Sequence, residues 1–472
     1  MRRLTGADAH FLLLETRVQH LHTLKIFVVE GSSASDVPSH VLLREQLARI
    51  VPQLGPYRWR LVRVPFGLGL PYWATTDRVD LDYHIRRLAV PAPGGPREFC
   101  EVASAVASFP LERDRPLWQI WIVEGLEHGR VAYVMKIHHA IGDGTASAKL
   151  AADTVAALAT TPTTVAEPEP ADALPSRLWL LAEAVADGIR RFIRLPALIW
   201  RSLRVLAIGA ARRRAGLAHP PRAYASPPTR FNNRLTPHRW YANVIVPLDD
   251  VKLVKDAFGV TLNDVLVALT SSAVRGYLAD RDELPSESLT ASIPVSIRDA
   301  DDPTRYGNRL ASWYVHLATD VADPVERLHA VARNTATARA TLQAKDLALQ
   351  SDWQEQWLPW VLFMGSLLRL MRRFRNRPVY NCIVSNVRGP SERFDHQGAR
   401  VVSIQSMGPL QADMGLNVTA WSYVDQFSIG VVACHEHVPD IWNLANRFPS
   451  ALEELKAAAL AHRRLETERE AS

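Results

Sequence analysis

A short apolar run that ends in a paired histidine and a glycine turn is the feature that most constrains this chain. Residues 131–137 read VAYVMKI, which has the length and the β-branched, apolar character of a buried strand. Residues 138–144 read HHAIGDG, and two glycines in this stretch predict a turn, because glycine adopts backbone angles that other residues avoid. A strand that ends in such a turn presents its last side chains at the edge of a cleft.

The residue types in this turn suggest acid–base chemistry. The unperturbed pKa of histidine lies near neutral pH, which makes it the usual general base. Neighbouring side chains on a strand point to opposite faces, so His139 is predicted as the base and His138 as a supporting residue. Asp143 and Gly144 are expected to shape the turn. The alternative is a strand end at which both histidines are only hydrogen-bonded polar groups.

Further short motifs follow the same order as in a known family. They are DRPLW at 114–118, TLNDV at 261–265, PVSIR at 294–298, YGNR at 306–309, SNV at 385–387 and GLNV at 415–418. The paired-histidine motif is shared by chloramphenicol acetyltransferases, condensation domains and other CoA- or carrier-dependent acyltransferases. Together with the flanking motifs, it resembles the bacterial wax ester synthase/diacylglycerol acyltransferase family from about residue 4 to residue 442.

The resemblance implies an α/β fold made of two chloramphenicol-acetyltransferase-like halves, with the active site at their interface. A length of 472 residues also favours two domains of ordinary size. We expect a first half at 1–160 that carries the HHxxxDG motif and a second half at 231–472. Between them, 161–230 is expected to be a linker that begins in a proline-rich polar stretch and continues as a basic helix.

The resemblance also implies an acyl-CoA-dependent O-acyltransferase. The acceptor would be diacylglycerol, giving triacylglycerol, with long-chain alcohols as a second acceptor class that gives wax esters. His139 would take the hydroxyl proton and return it to the departing CoA thiolate. Acyl-CoA is then a co-substrate, and neither a cofactor nor a metal is expected. A serine-nucleophile route is disfavoured, because the chain has no Gly-x-Ser-x-Gly motif.

Four more residues are candidates for substrate binding: Asn263, Asp264, Arg298 and Asn417. The resemblance places Asn263 and Asp264 near the active centre, although a helix start gives them a capping role as an alternative. Arg298 is the expected partner of Asp143, with a contact to CoA or a solvated loop as alternatives. Asn417 is expected near the oxyanion or the pantetheine arm, unless it only stabilises a turn.

The net charge indicates which kinds of binding partner to expect, and the cysteine content indicates the cellular compartment. The net charge of +6 favours anionic partners such as CoA phosphates or acidic phospholipids. Nucleic acid is not expected, because no zinc-finger, RNP or helix-turn-helix pattern is present. The three cysteines are widely spaced, so neither a disulfide framework nor a zinc site is predicted, and a cytoplasmic location is expected. No apolar run is long enough to span a bilayer.

One segment predicts contact with a membrane surface. Between residues 189 and 207, apolar residues that include Phe192 and Trp200 recur at helical spacing, and arginines lie on the other side of the helical wheel. We therefore expect peripheral attachment to an anionic surface, either the inner face of the plasma membrane or a lipid droplet. Pro196 should kink or split this helix. The alternative is a linker helix packed on the protein. Residues 367–377 form a second basic, apolar stretch.

Two other function classes remain open. One is a condensation-type enzyme that forms amides, which shares the histidine motif but is disfavoured by the flanking motifs. The other is a catalytically weak protein that binds lipid or coats droplets and keeps the fold.

Overall fold

The computed structural model describes most of the chain in nine ranges: 1–31, 40–159, 170–215, 219–222, 224–297, 306–343, 348–356, 377–396 and 399–470. Across these ranges the fold is mixed α/β, with two six-stranded sheets and one three-stranded sheet. The predicted fold class is therefore confirmed. The linker stretch at 160–169 and most of the basic stretch at 367–377 lie outside the described residues.

The elements alternate along the chain. The strands are β1 (Arg2–Arg3), β2 (His22–Gly31), β3 (Trp59–Val62), β4 (Tyr72–Thr75), β5 (Ile85–Ala89), β6 (Trp118–Glu124), β7 (Val131–His138), β8 (Arg239–Pro247), β9 (Thr290–Ser296), β10 (Leu310–His316), β11 (Cys382–Arg388), β12 (Asp395–His396), β13 (Ala399–Met407), β14 (Leu416–Tyr423) and β15 (Gln426–Cys434). The helices are α1 (Gly6–Leu14), α2 (His40–Ile50), α3 (Gly55–Arg58), α4 (Leu81–His84), α5 (Pro96–Ser108), α6 (Gly144–Ala159), α7 (Arg177–Arg214), α8 (Leu248–Ala257), α9 (Leu262–Ala279), α10 (Pro324–Gln343), α11 (Ala348–Glu355), α12 (Ile441–Ala445) and α13 (Arg447–Glu470).

The first six-stranded sheet carries the histidine motif and has the order β12-β13-β2-β7-β6-β5. Strand β2 runs antiparallel to β7, with Thr23 opposite Ile137 and Lys25 opposite Met135. On its other side β2 pairs with β13, which follows it by more than 360 residues in the sequence. The sheets therefore do not divide at residue 231: a segment of the second half completes the sheet of the first.

The second sheet has the order β10-β9-β11-β14-β15-β8. Its strand β15 is buried at eight of its nine positions, because β15 lies inside the sheet and both faces of the sheet are covered. A strand covered on both faces reads as a nearly continuous apolar run rather than as an alternating pattern. Helices α9 and α13 contribute Val265, Leu269, Phe448 and Leu455 to the core that packs on this sheet.

The side of helix α7 that faces the protein body carries both apolar residues, such as the buried Leu180 and Leu198, and polar ones. Asp187 accepts a hydrogen bond from Arg3 at 2.9 Å, and Ser202 accepts one from Trp353 Nε1 at 2.8 Å. The helix continues through Pro196, so the predicted split is not observed. Within the described ranges, no single helix is long and apolar enough to cross a membrane, although the bent pair α8 and α9 passes by length and composition.

Candidate active site

The histidine turn is held in place by a segment that is distant in sequence. Strand β7 ends at His138, and the following turn forms a bridge between Gly142 and Gly307. Gly307 N donates to Ile141 O at 2.9 Å. A Cβ atom on Gly142 would lie 2.5 Å from the Cβ atom of Ala146, so this position of the motif has room only for glycine. Helix α6 then begins at Gly144, which lines the cavity described below.

Asp143 anchors the turn through backbone groups. Its side chain is fully buried. One carboxylate oxygen accepts a hydrogen bond from Ala146 N at 2.9 Å, and the other accepts from Arg309 N at 3.0 Å. These bonds join the start of α6 to the segment after Asn308. The expected partner Arg298 lies outside the described residues, so its pairing with Asp143 stays a prediction.

His139 is fixed by contacts on two sides of its ring. Phe11, on α1, stacks on the imidazole with ring centroids 4.1 Å apart and an interplanar angle of 19°. The Nδ1 atom lies 3.1 Å from Asn308 Oδ1. The Asn308 amide nitrogen donates to Asp8 Oδ1 at 2.9 Å and to His139 O at 2.8 Å. Both of these partners are acceptors, so the amide oxygen must face the imidazole.

This arrangement sets the tautomer of the base. Because Asn308 Oδ1 only accepts hydrogen bonds, the proton of a neutral His139 ring lies on Nδ1 and the lone pair lies on Nε2. Burial lowers the pKa of His139 to about 4, although Asp143 and the Asn308 bond act in the opposite direction. The ring is therefore neutral near pH 7, and it can accept a proton at Nε2.

His138 lies on the opposite face of β7 and is fully buried. Its Nδ1 atom accepts a hydrogen bond from Ala140 N at 3.0 Å, which stabilises the start of the turn. Its Nε2 atom lies 3.6 Å from a carboxylate oxygen of Glu15, which also forms an ion pair with Arg113. These contacts suit a residue that supports the turn rather than one that meets a substrate.

A cavity of about 690 Å³ separates the two six-stranded sheets at the histidine turn. The first sheet contributes Thr23, Lys25 and Ser406 to its lining, and the second contributes residues of β9, β10, β11 and β14. Of the residues predicted from sequence, His139, Gly144, Asn263 and Asn417 line the cavity.

Two of the predicted binding residues, Asp264 and Asn417, make contacts that stabilise the fold. Asp264 caps α9, where its carboxylate accepts from Thr261 N at 2.9 Å and the Thr261 side chain accepts from Asp264 N at 3.2 Å. This is the capping alternative that the sequence left open. Asn417 is 2% exposed, its amide donates to Pro409 O at 2.9 Å, and its Oδ1 atom accepts from Thr419 at 2.8 Å. Its polar groups therefore already have partners inside the protein.

Three residues of the site carried no role in the sequence analysis: Asp8, Phe11 and Asn308. Asn308 belongs to the YGNR motif, and Asp8 and Phe11 lie in the stretch near residue 4 where the family resemblance begins. The hydrogen bond between Asp8 and Asn308 joins positions 300 residues apart, however, and no local pattern indicates such a contact. In the described ranges, no group of three or more His, Cys, Asp or Glu side chains is arranged to hold a metal ion.

A histidine turn at a cavity between two α/β halves is the arrangement expected from the sequence for a CoA- or carrier-dependent acyltransferase. Family models agree with this assignment: the wax ester synthase/diacylglycerol acyltransferase catalytic domain matches residues 4–266, and the C-terminal domain of the same family matches residues 306–456. The chain belongs to the wax ester synthase/diacylglycerol acyltransferase family.

Similar proteins cover nearly the whole chain. Two putative diacylglycerol O-acyltransferases of Mycobacterium tuberculosis are 33% and 38% identical over 461 and 443 residues. The alignments cover 96% and 93% of this chain, and 90% and 92% of the two relatives.

Solved structures share the fold. The wax ester synthase/diacylglycerol acyltransferase from Marinobacter aquaeolei VT8 superimposes with a TM-score of 0.66 at 24% identity, covering 97% of this chain and 100% of that structure. The first condensation domain of the calcium-dependent antibiotic synthetase gives a TM-score of 0.59 at 17% identity, with 97% of each chain covered.

Proposed function

We propose that this protein transfers a fatty acyl group from acyl-CoA to the free hydroxyl of diacylglycerol, giving triacylglycerol, with His139 as the general base. The observation that carries the proposal is the neutral His139 ring, held by Asn308 so that Nε2 is available in a cavity shared by both halves. The M. tuberculosis relatives bear the name of this activity.

The proposed reaction takes place in two steps at this site. The acceptor hydroxyl donates its proton to His139 Nε2 while its oxygen attacks the thioester carbonyl carbon. The tetrahedral intermediate then collapses, the carbon–sulfur bond breaks, and Nε2–H protonates the departing CoA sulfur. The hydrogen bond from Nδ1 to Asn308 keeps the ring oriented while it is positively charged. General-base catalysis of this kind contributes about a hundredfold to ten-thousandfold in rate.

Two separate features of the structure suit the two ends of an acyl-CoA molecule. Arg339 and Arg388 line the cavity and provide positive charge for the CoA phosphates. A separate, mostly apolar pocket of about 100 Å³ lies on the same face of the first sheet, where Phe27, Met135 and Val401 are among its lining residues. Such a pocket suits a hydrocarbon chain, because burying apolar surface is favourable.

A purified-protein assay tests the proposal. Oleoyl-CoA is supplied with diolein, with hexadecanol or with a long-chain amine, and the release of free CoA is measured together with the lipid product. We expect triolein with diolein. Amide formation with the amine as the main reaction would favour the condensation-type alternative, and lipid binding without CoA release would favour a non-catalytic role.

We further propose that the protein attaches peripherally to an anionic membrane or lipid-droplet surface through α7, on the cytoplasmic side. The side chains of Phe192, Ile193 and Trp200 are 75%, 71% and 70% exposed, and Leu206 continues the same stripe. Exposed aromatic and aliphatic side chains on one helix face are typical of interfacial helices. A surface that collects diacylglycerol from lipid would need such a face, because the acceptor is nearly insoluble in water.

Ion pairs within the protein limit which arginines of α7 are available to contact anionic headgroups. Arg190 forms an ion pair with Glu183 at 2.6 Å, and Arg201 forms one with Asp352 at 2.5 Å. Both charges are thus compensated within the protein. Arg194 and Arg204 are exposed beside the apolar stripe. These two arginines are therefore the better candidates for contact with anionic headgroups.

A further inference from the structure

Lys25 is a buried lysine at the catalytic cavity that the proposed reaction does not use. It lies on β2, inside the first sheet, and it is 2% exposed. Its Nζ atom donates to Ser406 Oγ at 2.7 Å and lies 4.8 Å from the centroid of the Trp421 ring. An ammonium group has three N–H donors. In the described part of the chain, Ser406 is the one hydrogen-bond acceptor bonded to Nζ.

The register of the strands places Lys25 on the same side of the sheet as the base. Lys25 is opposite Met135, and its neighbour two positions earlier, Thr23, is opposite Ile137. His139 is two residues beyond Ile137, so the side chains of Thr23, Lys25 and His139 share one face and line one cavity. The α-carbons of Met135 and His139 are roughly 13 Å apart along an extended strand. Two long side chains and a glycerol unit can bridge this distance.

The two acceptor classes differ in what they offer to a buried ammonium group. Diacylglycerol carries two ester carbonyls within a few bonds of its free hydroxyl, and a carbonyl oxygen accepts hydrogen bonds. A long-chain alcohol has only methylene groups next to its hydroxyl. A site built to bond a polar group discriminates strongly against an analogue that lacks the group, because its own polar atoms are then left unpaired in a water-poor environment.

We propose that Lys25 is a substrate-binding residue that donates a hydrogen bond to an ester carbonyl of diacylglycerol when the free hydroxyl of that molecule is at His139. Lys25 thereby selects glycerolipids over long-chain alcohols. The inference rests on the proposed function, because it assigns an acceptor to the same site. Ser406 positions the ammonium group, and Trp421 stabilises its charge.

The pKa of Lys25 is consistent with this role. Burial lowers the pKa of Lys25 to about 7, while the negative charge of Asp143 raises it. The group can therefore carry its charge at and below neutral pH. Charge-assisted hydrogen bonds are about twice as strong as neutral ones, so the charged form is the better donor.

The test combines a variant with a substrate analogue. Lys25→Met keeps the length of the side chain and removes the donor. We expect kcat/KM for diolein to fall by about tenfold to a hundredfold, which is the range for loss of one hydrogen bond to a charged group. The value for hexadecanol should change by less than about threefold. Lys252→Met is the control, because Lys252 is 48% exposed on α8 and pairs with Asp249.

The dialkyl ether analogue of diolein, which lacks both carbonyls, tests the contact without any mutation. The kcat/KM of the wild-type protein for this ether should be as low as that of Lys25→Met for diolein. Lys25→Met should have the same kcat/KM for the ester and for the ether. Equal use of ester and ether by the wild type would overturn the inference, as would an equal loss on diolein and hexadecanol in the variant. Absence of transfer from wild type to any hydroxyl acceptor would instead reject the proposed function itself.

Discussion

Asn308 and His139 are 169 residues apart in sequence, yet two hydrogen bonds join them, one at 3.1 Å between Oδ1 and Nδ1 and one at 2.8 Å from the amide nitrogen to the histidine carbonyl. The same amide nitrogen also donates a hydrogen bond to Asp8 Oδ1. An asparagine that is held at both ends of its amide group cannot rotate freely. It therefore fixes the tautomer of the histidine as well as the orientation of its ring.

Replacing this asparagine should reduce catalysis while leaving substrate binding nearly intact. We expect Asn308→Ala to lower kcat by about tenfold to a hundredfold, because a small misplacement of a catalytic group has effects of this size. KM for oleoyl-CoA should change little. Asn334→Ala is the control, since the Asn334 amide bonds to His316 O and Asn334 lies on α10. A rise in KM with unchanged kcat would contradict a positioning role.

The two adjacent histidines should differ in their effect on activity. His139→Ala should lower kcat by about a hundredfold to ten-thousandfold, because it removes the general base. His138→Ala should retain more activity and lose thermal stability, since it leaves the buried Ala140 N–H without an acceptor. Initial rates of CoA release and melting temperatures check both variants. The reverse order of activities would show that the base has been assigned to the wrong histidine.

Asp143→Ala should weaken the fold together with the activity. Two backbone N–H groups, the buried one of Ala146 and the partly buried one of Arg309, would lose their acceptor. We expect a loss of about 2–3 kcal/mol in the free energy of unfolding, measured by urea denaturation. Asp249→Ala, at a side chain that is 82% exposed, serves as the control and should be neutral. An Asp143→Ala protein with full stability and no activity would indicate that this carboxylate takes part in the chemistry.

The pH dependence of the reaction reports on the environment of His139. Burial lowers the pKa of this ring from 6.5 to about 4, and the neutral ring is the form that accepts a proton. Hexadecanol is the acceptor for this measurement, because it has no ester carbonyl and its rate should not depend on the protonation of Lys25. Its kcat/KM should stay level from about pH 8 to about pH 5 and fall only at lower pH. A half-maximal rate near the ordinary value of 6.5 would mean that water reaches the ring freely.

Membrane attachment through α7 predicts loss of flotation in a variant that changes only exposed side chains. Phe192→Ser and Trp200→Ser combined with Arg194→Glu and Arg204→Glu should release the protein from vesicles of phosphatidylglycerol and phosphatidylcholine. Activity on detergent-dispersed diolein should be retained. The control pair is Val41→Ser and Phe109→Ser, whose wild-type side chains are 63% and 65% exposed elsewhere on the surface. If the α7 variant still floats like the wild type, this helix is not the anchor.

Local patterns predicted the elements of the fold well. The strand expected at residues 131–137 is Val131–His138, and the turn expected at 138–144 ends at Gly144, where α6 begins. Both follow from near-neighbour preferences, namely a continuous apolar run and the end of a glycine turn. The HHxxxDG motif located the cavity for the same reason, because its chemistry lies in one turn.

Contacts between distant segments were not predictable in this way. Asp8 and Asn308 meet only because the bridge between Gly142 and Gly307 brings the YGNR segment to the turn. Lys25 reads in the sequence as one charge within an apolar strand, and its place at the cavity depends on the pairing of β2 with β7 and β13. Burial, which lowers the pKa of His139, likewise exists only once the tertiary fold has formed.

The pairing of β13 with β2 has a consequence for the biogenesis of the protein. Met407 lies opposite Leu24, so the first sheet stays incomplete on the ribosome until the chain has been synthesised at least as far as β13. During that interval β2 is an open edge, which is a template for intermolecular pairing. Contacts between such distant segments also slow folding, since a long loop must close first. The first sheet therefore cannot be completed by the first half alone, and we expect β2 to be prone to intermolecular pairing until β13 is available.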